Sequence, residues 1–211
     1  MTDIKNMTMP PTAVDRRIFM HKRFSCLCGT ALLLALSLSA CGSGSETAPP
    51  SSSPESESTP GILSSFTAPD LEGNQVDESI LSDHTLTMVN VWTTSCGYCI
   101  QEMPELSTLA QEYADQGVQV LGLVLDVMDQ DGSYNQGQLD LAQDIVTTAG
   151  ADYTQLLLSE DLYHIAAQIS GTPTAFFVDS TGNQVGYAYS GAMDQAQWSQ
   201  ILDEVLAEAQ E

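Results

Sequence analysis

The chain has 211 residues, a formal net charge of −23 and only five basic side chains, all of them before position 41. Of its 28 acidic residues only Asp3 and Asp15 lie in that N-terminal stretch, so everything after it is acidic and free of Lys and Arg. Such a surface repels nucleic acid and anionic head groups, which excludes nucleic-acid binding, and the length allows one domain with accessory segments.

Residues 20–41 have a basic start, an apolar middle and small residues at the end, which is the architecture of a secretory signal and too short for a comfortable membrane span. Leu38-Ser39-Ala40-Cys41 resembles the bacterial lipobox. That resemblance implies cleavage after residue 40, lipidation of Cys41 and a membrane contact through the lipid; more than one acyl chain makes such an anchor stable. Upstream, Arg16-Arg17-Ile18-Phe19-Met20 looks like a twin-arginine export signal, but Asp15 and His21 are off pattern. The alternative is a start at Met20. Residues 42–61 are mostly Ser, Pro, Gly and Glu without apolar periodicity, and read with Cys41 as a disordered tether of roughly 25 Å r.m.s. span.

From residue 62 onward the pattern alternates. Phe66–Val76 contains the turn signal Asp70-Leu71-Glu72-Gly73-Asn74-Gln75 and predicts an entry hairpin, followed by a short helical turn over Asp77–Leu81. Leu86–Trp92 is an apolar strand, and Cys96–Tyr113 a helix that Pro104 should kink. Val118–Leu125 reads as a strand buried on both faces. Leu139–Thr148 is helical, Tyr153–Leu158 extended and Leu162–Gln168 helical. Ala175–Val178 and Gln184–Tyr189 flank the turn Asp179-Ser180-Thr181-Gly182-Asn183, and a last helix over Asp194–Ala209 turns Trp198, Ile201, Leu202, Val205 and Leu206 to one face. This order predicts one α/β domain over 62–211: a central mixed β-sheet flanked by helices, with an N-terminal β-hairpin extension.

Cys96 and Cys99 are the only cysteines of that domain. Two thiols separated by two residues, at a strand-to-helix junction, can close a small disulfide ring. The helix N-terminus favours thiolate at the first of them. The pattern is that of a redox dithiol. A metal clip is the competing reading, but zinc normally takes four ligands, and the domain offers only His84 and His164 besides the two thiols. Glu102 continues the Cys96–Cys99 stripe by another three residues. If the stripe faces inward, Glu102 is a buried carboxyl without a basic partner, raised in pKa and able to accept a proton from Cys99. A solvated helix carboxylate is the bland alternative.

These residues resemble the thioredoxin fold, and within it the extracytoplasmic TlpA/ResA-like thiol-disulfide oxidoreductases. The resemblance covers about 62–211. It rests on Trp92, on Cys96-Gly97-Tyr98-Cys99, on Glu102-Met103-Pro104, on Gly171-Thr172-Pro173-Thr174 before a strand, and on Asp179…Gly182 ahead of a final helix. It implies a redox-active Cys96–Cys99 disulfide in which Cys96 attacks and Cys99 resolves, with Glu102 as proton acceptor. It also implies a cis peptide bond at Pro173 and a substrate-binding surface of Trp92, Gly97, Tyr98, Thr172 and Pro173. The implied partners are protein disulfides and a membrane or extracytoplasmic dithiol that supplies electrons, with no bound cofactor. Two departures stand out: Ser95 precedes the first cysteine where relatives carry an aromatic, and Tyr98 stands where a proline is common. No cation acidifies Cys96 and the negative field opposes its thiolate, so the expected couple is reducing.

Thr93-Thr94-Ser95-Cys96 also spells the Thr-x-x-Cys of peroxiredoxins, making a peroxidase one alternative, although the domain lacks an activating arginine. A metallochaperone or redox-silent adaptor is the other. Asp126…Asp129-Gln130-Asp131-Gly132 imitates a calcium loop, but Val127 and Gln138 occupy ligand positions, and the segment reads as a solvated acidic insertion. His164 reads as a half-buried structural histidine, and Trp92 as core and site wall without direct chemistry.

Overall fold

A computed structural model describes residues 61–210. The expected signal segment over 1–40, the lipidation at Cys41 and the tether up to residue 60 lie outside the described residues.

The sheet is built on β3 (Leu86–Trp92), buried at all seven positions. Parallel to it runs β4 (Val118–Val124), and β5 (Gln155–Leu157) pairs parallel with β4. On the other side β6 (Thr174–Val178) and β7 (Gln184–Ser190) pair antiparallel, giving the order β5-β4-β3-β6-β7. The mixed sheet is therefore as expected. Strand β1 (Thr67–Pro69) pairs with β2 (Gln75–Asp77) as the entry hairpin, and a bridge from Asp70 to Leu156 lays it over the free edge of β5.

Period-two alternation along β3 sorts the core into two faces. Val89 and Val91 face one cluster with Phe66, Leu81, Leu121, Leu123, Phe176 and Ile165, covered by the entry segment and the short helix α3 (Tyr163–Ala166). Leu86 and Met88 face the other, against Leu106 and Leu109 of α1 (Gly97–Glu112) and Trp198, Leu202 and Val205 of α4 (Gln195–Ala209). Tyr189 stands edge-on between Phe177 and Trp198, at centroid distances of 5.9 and 6.2 Å, and ties β7 to α4. Asn90 and Trp92, further along the same face of β3, point toward the start of α1. Chemistry on that face therefore meets α1 at the C-terminal end of the parallel strands.

α1 runs without a break through Pro104. α2 (Gln136–Ala149) begins three residues ahead of its first apolar position, because Asn135 caps it by accepting from the Gln138 backbone N–H. It ends at Gly150, whose φ of 67° closes the turn into β5. Asp194 and Gln197 form a reciprocal capping box at the start of α4. No helix of the described residues is long and apolar enough to cross a membrane.

Candidate active site

The loop from β3 to α1 ends at Cys96, which caps the helix: its backbone is extended and its sulfur accepts a hydrogen bond from the Cys99 N–H at 3.1 Å. Cys96 and Cys99 are joined as a disulfide with their Cα atoms 5.3 Å apart. The two sulfurs differ in access. Cys96 is half-buried and Cys99 has no exposed surface, because Cys99 packs against Trp92, Met103, Val124 and Val127. Only the Cys96 sulfur is open to a partner, and a thiolate there meets the unpaired amides of the first helical turn. Gly97 and Tyr98 lie exposed beside it, Tyr98 at 70 %.

Across the cleft lies the loop before β6. The Thr172–Pro173 peptide bond is cis, Pro173 is buried, and the Thr172 hydroxyl is 3.4 Å from that of Thr93. Thr93 in turn lies 3.5 Å from the Ser95 hydroxyl, so the collar around Cys96 is hydroxylic where an aromatic residue would make it apolar.

Beneath the disulfide is Glu102, 3 % exposed. Its Oε1 accepts from Asn90 Nδ2 at 2.9 Å and its Oε2 from the Met193 backbone N–H at 3.3 Å. Desolvation holds its pKa above the ordinary value of 4.5; Glu105 adds to this, and the hydrogen bonds from Asn90 and Met193 oppose it. The Trp198 indole also lies beside the carboxyl and favours the anion, but its N–H completes no hydrogen bond. Asn90 Oδ1 is likewise buried without a partner. The described residues contain no Lys or Arg to pair with it, so this carboxyl is suited to gaining and losing a proton one helical turn from Cys99. Around its outer edge Tyr98, Gln101, Glu105, Met193 and Asp194 line a shallow depression of about 190 Å³.

Three positions depart from the sequence reading. Trp92 cannot contact a substrate: it is fully buried, and its indole N–H donates to Gln155 Oε1 at 2.9 Å. It is the wall behind the disulfide, packed with Cys99 and Met103, which bears out the reading of it as core and overturns its part in the substrate surface. Gly122 on β4 makes room for that bond, since a Cβ there would fall 1.8 Å from Gln155 Oε1. His164 is exposed rather than half-buried, with both ring nitrogens 2.8 Å from the carbonyl oxygens of Asp161 and Ile62. Asp126, read as part of a solvated insertion, instead accepts from the Thr94 N–H at 2.9 and 3.0 Å and from the Thr94 hydroxyl at 2.7 Å. Nothing in its sequence context distinguishes it from the other acids of that loop. Among the described residues no three His, Cys, Asp or Glu side chains come together as a metal site.

Comparison with known proteins places this geometry. Residues 62–185 match the model of the AhpC/TSA family. The thiol:disulfide interchange protein DsbE of Yersinia pestis is 24 % identical over 130 residues, covering 62 % of this chain and 62 % of its own length. A Nicotiana sylvestris protein named "Probable phospholipid hydroperoxide glutathione peroxidase" is 32 % identical over 91 residues, 43 % of this chain and 52 % of its own length. The chain thus spans roughly half to three-fifths of these curated relatives. The crystal structure of a thiol:disulfide interchange protein of the thioredoxin family from Chlorobium tepidum superposes with a TM-score of 0.56 at 22 % identity, over 72 % of this chain and 99 % of that one. The fold is the thioredoxin fold.

Proposed function

The chain belongs to the AhpC/TSA family, and from that premise we propose that it is a thiol-disulfide oxidoreductase of the DsbE/ResA kind that reduces disulfides in proteins. The observation that carries this reading is the asymmetric pair: a half-buried Cys96 sulfur at a helix N-terminus joined to a fully buried Cys99. In the reduced protein the Cys96 thiolate attacks a substrate disulfide and displaces one substrate thiolate, which leaves protonated. The Cys99 thiol then gives its proton to Glu102 and attacks the Cys96 sulfur of the mixed disulfide. The second substrate thiolate leaves, and Cys96–Cys99 closes. Two electrons have passed to the substrate, and an extracytoplasmic or membrane dithiol returns them. Gly97, Tyr98 and Thr172 offer the surface on which the substrate chain lies, the buried cis Pro173 shapes the loop beneath it, and the backbone beside Thr172 suits an extended peptide. Lipidation at Cys41 would hold this domain at the outer face of the membrane, on the tether of residues 41–61.

The absence of any Lys or Arg in the domain supports the reducing direction, since the helix terminus is then what offsets the negative field at Cys96. The test is Cys99→Ser. The variant retains attack but cannot resolve, so mixed disulfides on Cys96 accumulate and their partners are identified by mass spectrometry. Absence of trapped protein, with Cys96 demonstrably reduced, would refute the proposal.

A peroxidase reading has the family match and the Nicotiana relative in its favour. Against it, the domain has no Arg or Lys to activate a peroxidatic thiolate. Direct consumption of hydrogen peroxide by the reduced protein at rates above that of a free thiol would favour it.

A further inference from the structure

Asp126 follows β4 and is held from both sides. The Leu125 N–H donates to the Trp92 carbonyl at 3.1 Å, and Val127 is fully buried against Trp92 and Cys99. Fixed in this way, the carboxylate faces Thr94 and accepts from its backbone N–H with both oxygens and from its hydroxyl with one at 2.7 Å, the hydroxyl's other acceptor, Gln138 Oε1, standing further off at 3.5 Å. Thr94 itself is 7 % exposed, so these donors have little water to turn to. Charge-assisted bonds of this kind are stronger than neutral ones, and a buried donor without its acceptor is costly. Thr94 lies in the middle of the turn closed by the Cys96 N–H on the Thr93 carbonyl at 3.1 Å, the turn that delivers the Cys96 sulfur to the helix terminus.

We propose that Asp126 is a positioning residue for the attacking thiol. Through Thr94 it locks the Thr93–Cys96 turn and keeps the Cys96 sulfur on the N-terminal amides of α1. The inference rests on the reading of Cys96 as the attacking thiol. Its sign separates placement from charge. A nearby carboxylate acting only as a charge disfavours thiolate, so its removal would speed reaction of Cys96. A carboxylate that places the sulfur on the helix terminus does the opposite, and its removal slows the thiol.

The test is the alkylation rate of Cys96 by iodoacetamide at neutral pH in the reduced full chain, read on the Cys96 peptide by mass spectrometry. Asp126→Ala and Thr94→Val each slow alkylation by about fivefold, the size of a lost helix-terminus contribution. The double variant is no slower than Asp126→Ala, because the two residues act as one unit. Thr94→Ser, which retains the hydroxyl donor, recovers most of the rate lost in Thr94→Val. Alkylation of Asp126→Ala at or above the wild-type rate overturns the proposal, as do losses that simply add in the double variant. Thr94→Val keeps the carboxylate, and provides the test should Asp126→Ala fail to fold. Alkylation reads the placement of Cys96 whatever its partners are. A Cys99→Ser variant that traps no substrate would refute the proposed function while leaving this result standing.

Discussion

At the scale of single residues, Glu102 couples the chemistry of the site to its stability. Its carboxyl is buried and its pKa raised, chiefly by desolvation. The folded chain therefore keeps a proton at pH values where the unfolded chain has lost it, and stability falls as pH rises above the ordinary value of 4.5 through the folded one. Glu102→Gln removes this dependence, and its amide can offer a donor to the unpartnered Asn90 Oδ1. Urea midpoints should show no advantage for the variant below about pH 4, and a growing one as pH rises to neutrality. The same change withdraws the proposed proton acceptor: resolution of the mixed disulfide should slow by about 100-fold, the low end of what a general base contributes. Stopped-flow release of the substrate thiol measures it. The i, i+3 spacing made Glu102 readable in the sequence, because a helical stripe that buries one cysteine also buries the residue a turn further on. Asp126 was not readable. Its partner is 32 positions away on the adjoining loop, and only the parallel pairing of β3 with β4 brings them together.

At the scale of elements, two hairpin turns share one grammar. Asp70-Leu71-Glu72-Gly73-Asn74 and Asp179-Ser180-Thr181-Gly182-Asn183 each fold around an aspartate that accepts backbone N–H groups two and four residues on. Each also has a glycine at positive φ, 88° at Gly73 and 80° at Gly182. Their surroundings differ. A Cβ at Gly73 meets nothing, whereas one at Gly182 would lie 2.3 Å from the Leu63 carbonyl carbon, where the chain enters the domain. Gly73→Ala should cost about 1 kcal/mol of backbone strain, and Gly182→Ala about 3 kcal/mol or more, in equilibrium unfolding. Equal costs would contradict this packing. Turns of this kind are legible because Asp, Gly and Asn each do a local job. Strands β3, β4 and β6 are legible because burial on both faces makes them predominantly apolar, broken only by Thr87, Asn90, Gln119 and Thr174. The start of α2 was not, since Gln136-Gly137-Gln138 carries no apolar periodicity and only the Asn135 cap marks it.

At the scale of the whole molecule, the decisive feature is a domain with acidic side chains and no basic ones. Its charges repel one another, and salt screens that repulsion as the Debye length falls from about 10 Å at 0.1 M to 3 Å at 1 M. The thermal midpoint should therefore rise with added sodium chloride; a midpoint that falls would mean the charges are paired in a way this structure does not show. Trypsin should release no fragment from within residues 41–211, folded or unfolded, because no Lys or Arg is present there. The same field bears on the site, where α1's N-terminus alone favours the Cys96 thiolate and the surrounding carboxylates oppose it. The central claim, a dithiol that reduces its partners, is tested most directly by a redox titration of the Cys96–Cys99 pair. Equilibration against dithiothreitol or glutathione buffers, followed by alkylation and mass analysis, should give a potential toward the reducing end of the thioredoxin-fold range, near −270 mV in order of magnitude. A value close to −120 mV, at the strongly oxidising end, would contradict it.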